Sequence, residues 1–418
     1  MKFPGRMIDM SKKHSGNIEN ASRAWIRPAV QVVFMAVVLL IGLRFGWFVH
    51  SLSGPEPAEV LSRPAGVEAF LPISSLMSLV YFLKTGVLNR IHPAGLVIFS
   101  LTLVLALLVR RGFCSWTCPI GTISEIAHKF GKWLFGRNME MPVWLDVPLQ
   151  GLKFFLFGFF LYHIAGMPAA GLDSFIHGPY NRMADVKMYL FFANIGTTAL
   201  SVIVVLLVLS ILFRNFWCRY LCPYGAVLGL FSLLSPVAVK RDAEKCIGCG
   251  KCAKACPNRI AVNRKTRVNS PECTACFICT DACPAHGALD IRAELSTRPL
   301  SAAVYGFIIV AAFVLTASVA GAFNYWHSET SPALYKRLYT QIDGIGHPST
   351  GGVSDNHETP HDWHGNAGSA MMEEKMRSDQ ANIARETFQN NKEYTQDETG
   401  PADNREVRHG SGKQGIAD

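Results

Sequence analysis

Five apolar stretches constrain this chain more than any single motif. They run Pro28–His50, Pro93–Leu108, Val147–Ala169, Leu190–Phe213 and Leu300–Phe323. A hydrocarbon core about 30 Å thick takes roughly 20 residues of apolar helix to cross, so each reads as a transmembrane helix, the second being the shortest. Phe70–Leu83 is apolar too, but short and broken by Pro72, which fits an interfacial or re-entrant helix. Charged residues are 17% of the 418, against about 25% in soluble domains. A purely soluble protein is excluded, and the expected fold is a mainly α membrane protein with about five transmembrane helices. Residues 1–27 hold no apolar core, so no cleaved signal peptide is expected and the first span stays as an anchor.

The net charge of +9 fits either nucleic acid or membrane topology, and its distribution favours topology. Residues 1–27, the junction Arg110–Arg137 and the segment 214–299 carry twenty-four Lys and Arg, while the loops on the other side carry five: Arg63, Lys84, Arg90, Arg182 and Lys187. The positive-inside rule then sets the N-terminus in the cytoplasm of a bacterial inner membrane and the C-terminal tail in the periplasm, with no nucleic-acid partner. The expected divisions are a cytoplasmic segment 1–27, a membrane domain 28–238, a cytoplasmic cysteine-rich insert 239–298, a fifth span 299–323 and a periplasmic tail 324–418. Ser331–Ile342 reads as one short amphipathic helix. Residues 342–418, rich in Gly, Asn, Asp, Glu, Ser and His, read as largely disordered, and the irregular spacing of His347, His357, His361, His364 and His409 reads as a solvated tail.

The membrane domain repeats a motif. RGFCSWTCPIG (111–121) closes the second apolar stretch and NFWCRYLCPYG (215–225) closes the fourth. Both are C-x3-C-P-x-G, and each precedes a short amphipathic stretch. This predicts a parallel repeat with a two-fold axis along the membrane normal. The insert repeats another motif: Cys246-x2-Cys249-x2-Cys252-x3-Cys256-Pro257, then Cys273-x2-Cys276-x2-Cys279-x3-Cys283-Pro284. That is the two-cluster bacterial ferredoxin spacing, in which the fourth cysteine of each run serves the other cluster. Cys246, Cys249, Cys252 and Cys283 are expected to hold one [4Fe-4S] cluster, and Cys256, Cys273, Cys276 and Cys279 the second. A zinc ribbon would use two C-x2-C pairs instead. An insert of about 60 residues is small enough to need such a core. Ile247, Ile260, Val262, Val268, Phe277, Ile278, Leu289 and Ile291 are expected to shield it.

Cys114, Cys118, Cys218 and Cys222 remain. At i and i+4, each pair is expected on one helical face, with Pro119 and Pro223 ending the helices. Together the four thiols suit a third iron–sulfur or other metal centre; structural thiols and copper binding are the alternatives. Ionisable residues inside spans are functional candidates by default. Arg44 and His163 sit about two turns from the outer ends of their spans, with His50, His92, Asp173 and His177 nearby. They form a candidate quinone site, against snorkelling for Arg44 and plain packing for His163. Lys153, near the inner end of its span, either snorkels or offsets thiolate charge at Cys114 and Cys222. With no C-x-x-C-H and one clear mid-span histidine, haem is not expected.

Two C-x3-C-P motifs in a multi-span domain, joined to a two-cluster ferredoxin run, resemble the NapH/NosR/CcoG group of polytopic membrane iron–sulfur proteins over residues 28–298. No sizeable domain precedes the first span, as a NosR-type flavin domain would, and no immunoglobulin-like domain of CcoG type is evident after the fifth. The NapH-like end of the group therefore fits best. The resemblance implies an electron-transfer subunit, part of a quinol dehydrogenase, that relays electrons between the quinone pool and a periplasmic or membrane cytochrome or reductase. Two alternatives stand beside it: an assembly factor that reduces a metal such as cupric ion or a cofactor of another respiratory enzyme, and an iron–sulfur redox sensor.

Overall fold

A computed structural model describes residues 25–54, 61–136, 139–296 and 298–347. In chain order, α1 (Ile26–Leu52) is followed by α2 (Pro72–Thr85), α3 (Pro93–Val109), the one-turn α4 (Phe113–Trp116) and α5 (Pro119–Phe135). Next come α6 (Val143–Gly166), α7 (Ala169–His177), α8 (Ala184–Ala193), α9 (Thr197–Leu212), a π-helical turn Trp217–Leu221 and α10 (Pro223–Ser232). The insert contributes β1 (Val237–Arg241), the short helices α11 (Lys251–Ala255) and α12 (Ile278–Asp281), and β2 (Leu289–Ala293). After it stand α13 (Ala302–Ala322) and α14 (Pro332–Tyr339).

Among the described residues, three helices are long and apolar enough to cross a membrane: α1, α6 and α13. The chain is thus a mainly helical, membrane-associated protein. The second expected span is the 17-residue α3, about 25 Å long at 1.5 Å per residue. The fourth is not one helix. Asn194–Gly196 interrupts it, and α8 and α9 meet at 84°. Asn194 and Gly196 take cap positions there, residue types that leave helices readily. The third ends at Gly166 rather than Ala169, ahead of Pro168, since a residue before proline is pushed to extended backbone.

The helices after the two C-x3-C motifs pack reciprocally. α5, which follows the first motif, lies on α9, which leads into the second; α10, which follows the second, lies on α3, which leads into the first. The α5–α9 crossing is close because Gly131 leaves room: a Cβ there would stand 1.9 Å from the Ile211 carbonyl oxygen. In the insert, β1 and β2 pair antiparallel, with Val237 opposite Ala293 and Arg241 opposite Leu289. Val239, Ile260, Val262, Val268, Phe277, Leu289 and Ile291 form its core, continuous with Trp116 and Tyr305 of the helices. The described insert and helices fall in one compact unit. The expected helix over Ser331–Ile342 is α14 plus a 3-10 turn at Ile342–Gly344. Of the tail 342–418 expected to be disordered, residues 342–347 are ordered, and His347 is not a solvated side chain but packs on Phe175 and Tyr180; residues 348–418, with His357, His361, His364 and His409, lie outside the described residues.

Candidate functional site

Equal spacing produces equal backbone in the two cysteine runs. Gly248 and Gly250 of the first are left-handed (φ +68° and +69°), and so are Ala275 and Phe277 of the second (φ +47° and +61°). These positions stand two and four residues after Cys246 and Cys273 respectively. Alternating hand turns successive N–H groups toward one concavity, which suits anionic ligands. Cys256, Cys273, Cys276 and Cys279 line one cavity, walled by Val239, Ile260, Val262 and Phe277. Cys252 lies within electrostatic reach of Cys283 and Cys246, so residues of both runs meet in this group as well. Ile247 is a correction: it is 68% exposed and shields nothing. Ile278 is half-buried.

The four other cysteines meet where the repeats join. Cys114 sits in α4 and Cys218 in the π turn, but Cys118 and Cys222 are not on the same helices as their partners. Each is an extended N-cap (ψ 122° and 105°) with proline as the first residue of the next helix. The expected shared helical face is therefore replaced by a turn, because the residue before proline avoids helical backbone. Pro119 and Pro223 start helices rather than end them. Both turns close alike: the amide of Cys118 donates to the Phe113 carbonyl at 2.9 Å, and that of Cys222 to Trp217 at 3.0 Å. The final glycine of each motif has a steric reason. A Cβ on Gly121 would stand 2.0 Å from the Cys114 carbonyl oxygen, and one on Gly225 would stand 2.7 Å from Arg111 Nη2. The Gly225 amide also donates to Cys222 Sγ at 3.3 Å.

These thiols retain some residue surface, yet the sulfurs are enclosed. Burial pushes the Cys118 thiol up to about 12, and the nearby Cys114 and Cys222 add to the rise. Burial likewise raises Cys218, with Cys118, Cys222 and Cys114 adding to it. Buried thiols packed beside other thiols, as Cys118 and Cys218 are, resist ionising together, whereas coordination to iron removes their protons and the repulsion together. The donor set thus fits a thiolate-held cluster. Among the described residues no three His, Cys, Asp or Glu side chains converge on a single-ion position.

Charged side chains bind the quartet to the insert. Arg111 Nε donates to Cys114 Sγ at 3.3 Å, and its Nη1 donates to the Pro271 carbonyl at 3.0 Å. Lys153 does not snorkel: it is fully buried, with Nζ 2.5 Å from Glu272 Oε1 of the insert. Arg110 donates to the carbonyls of Val268 and Ser270, each at 3.0 Å. Arg219 of the second motif pairs in two places with Asp146 and donates to the Asn258 carbonyl at 2.5 Å. Apart from Arg111 with Cys114, the partners are 39 to 160 residues apart in sequence, and no local spacing announces them.

The candidate quinone residues do not converge. Arg44 is exposed and donates to Ser62 Oγ at 2.9 Å. His163 is exposed and pairs with the Phe159 carbonyl of its own helix at 2.9 Å. Asp173 and His177 pair with each other at 3.3 Å, and His50 is exposed. What gathers near His92 instead is a buried group that sequence reasoning passed over. Arg63 reaches Glu68 at 2.6 Å and Asp185 at 2.5 Å, and His92 Nδ1 lies 3.6 Å from Glu68.

Comparison with known proteins agrees with this chemistry. The model of a 4Fe-4S binding domain matches twice, at residues 91–138 and 195–241, and that of a 4Fe-4S dicluster domain matches residues 238–284. YccM of Escherichia coli K12, provisionally assigned to electron transport, is 40% identical over 326 residues, 77% of this chain and 91% of that protein. The methylamine utilization ferredoxin-type protein MauN of Methylobacillus flagellatus is 26% identical over 56% of this chain and 76% of its own. The ferredoxin-type protein NapH of Escherichia coli K12 is 24% identical over 38% and 51%. No solved structure matches. The chain belongs to the family of membrane-associated, ferredoxin-type 4Fe-4S electron-transport proteins that includes YccM, MauN, NosR and NapH.

Proposed function

We propose that this chain is a membrane-bound subunit passing electrons between the quinone pool and another redox subunit through three [4Fe-4S] clusters. We assign one to Cys246, Cys249, Cys252 and Cys283, one to Cys256, Cys273, Cys276 and Cys279, and one to Cys114, Cys118, Cys218 and Cys222. Such clusters supply one-electron storage. The carrying observation is that four cysteines from both runs line one cavity, whose wall residue Ala275 accepts a hydrogen bond from Trp116, between Cys114 and Cys118. Arg111 supplies the quartet with a fixed positive charge and an N–H bond to sulfur, the kind of outer contact that tunes a cluster's potential.

Five spans in a parallel repeat, with the insert in the cytoplasm, are part of this reading. Reciprocal packing of α5 on α9 and α10 on α3, and the double match of one family model, support the repeat. The test is iron analysis and electron paramagnetic resonance on purified protein. The Cys118→Ser/Cys222→Ser variant is expected to lose about four irons per chain; unchanged iron overturns the third cluster. A menaquinol analogue is expected to reduce the clusters. Rapid cupric reduction without any quinol-dependent signal would overturn the reading in favour of an assembly factor.

A further inference from the structure

We infer that the middle residues of the two C-x3-C motifs are docking prongs that fix the order of electron transfer. The order is the quartet, then the Cys256, Cys273, Cys276 and Cys279 set, then the Cys246, Cys249, Cys252 and Cys283 set facing solution. This inference rests on the cluster assignment proposed above.

Both prongs grip the walls of the same cavity. From the first motif, Ser115 Oγ donates to the Thr274 carbonyl at 2.7 Å and Trp116 Nε1 to the Ala275 carbonyl at 3.1 Å. Thr274 and Ala275 are the two residues between Cys273 and Cys276. Trp116 is fully buried and packs edge-on against Phe277 at 5.9 Å. From the second motif, Arg219 Nη1 donates to the carbonyl of Asn258, two residues after Cys256. Thr274, Ala275, Asn258 and the four cysteines all line that cavity. The residues between the quartet cysteines therefore hold the ligand loops of one neighbouring site at a fixed separation. Electron tunnelling falls off exponentially with separation, so this site is the quartet's exchange partner.

In the remaining set Cys252 is buried, and the other three cysteines reach the surface. Cys249 is exposed, Cys246 keeps part of its surface and Ile247 beside them is 68% exposed. Among the described residues, no side-chain hydrogen bond joins Cys246–Cys252 to either motif. The exposed set is thus the one a carrier in solution can approach. Each transfer moves one electron: one centre is oxidised by one as the next is reduced by one, with no proton or bond change. A hydroquinone at the membrane end gives two electrons in succession and releases two protons. A one-electron carrier at the solvent end accepts them singly.

The test uses the full chain in detergent. Wild type is first quantified by spin count; fewer than three spin systems would overturn the cluster reading and this inference together. With three present, freeze-quenched samples of wild type isolate the order. A menaquinol analogue is expected to reduce the quartet first, the cavity cluster next and the exposed cluster last. Reduction of the exposed cluster before the cavity cluster overturns the order and leaves the assignment standing. Trp116→Phe with Ser115→Ala keeps an aromatic ring, removes the bonds to the loop and loses part of the indole's packing. It is expected to weaken the magnetic coupling between the two clusters and slow their exchange severalfold. Unchanged coupling and rate there, and also in Arg219→Lys, overturn the prongs.

Discussion

The two cysteine runs share spacing and backbone hand but differ in what surrounds them. The first takes its left-handed residues from Gly248 and Gly250, where an added Cβ would meet nothing within 4 Å. The second takes them from Ala275 and Phe277, at about 1–2 kcal/mol each for a non-glycine residue. Packing offsets that cost. Ala275 is 1% exposed and Phe277 6%, and the Phe277 ring meets Tyr305 at 5.3 Å as well as Trp116. The open run is shaped by its own glycines, whereas the buried run leans on the helices. Identical motifs thus acquire different roles from their neighbours.

If the clamped side carries the stability, its variants should dominate. The largest loss is expected from Arg219→Ala, which strands buried Asp146 and the Asn258 carbonyl. Breaking such a pair costs about 3–5 kcal/mol, so the thermal midpoint in detergent should drop sharply, while Lys251→Ala on the open run leaves it unchanged. Equal midpoints would break the comparison. Next comes Gly121→Ala, whose Cβ would overlap the Cys114 carbonyl; overpacking of this kind costs about 3 kcal/mol. Its counterpart Gly248→Ala, in open space, should cost about 1 kcal/mol from backbone strain alone. Denaturant midpoints of the two variants measure the gap.

A smaller effect tests the brace behind the first prong. Gln31 donates to the Ser115 carbonyl at 3.0 Å and to Glu125 at 3.1 Å, and Arg27 donates to Glu125 at 2.6 Å. Burial alone would raise the Glu125 carboxyl, but the hydrogen bond and charge of Arg27, with Lys129 and Gln31, bring it from 4.5 down to about 2. A depressed carboxylate stabilises the fold above its unfolded value and loses that contribution as pH falls toward its folded one. Wild type should therefore lose stability between pH 4.5 and about 2, and Glu125→Gln, weaker by about 2 kcal/mol at neutral pH, should show a flatter profile. Parallel profiles would remove Glu125 from the brace. The smallest change is Ala275→Gly, which relieves left-handed strain and should raise the midpoint by the equivalent of about 1 kcal/mol at most. A loss instead would mean that Ala275 packing outweighs its strain.

Much of the architecture was legible. Apolar length marked the helices, and the repeated cysteine spacing marked the insert, because both are set by neighbours a few residues away. The break at Asn194–Gly196 was missed because an apolar average runs straight across three residues. The i, i+4 reading of Cys114 with Cys118 failed because the proline after the second cysteine outweighs helical continuity. The group of Arg63, Glu68, Asp185 and His92 was invisible for another reason. Arg63 and Asp185 lie 122 residues apart, and each alone looks like an ordinary loop charge.

By itself, the sequence determined the kind of chain this is: apolar helices, two C-x3-C-P-x-G turns, and two cysteine runs whose glycines and prolines dictate the local backbone. Those features follow from torsional and steric limits within a few residues. Only the tertiary structure decided which cysteine run faces the helices, which lies open to solvent, and which charges are buried in pairs. Those outcomes depend on contacts such as Lys153 with Glu272, 119 residues apart, whose geometry no local periodicity encodes.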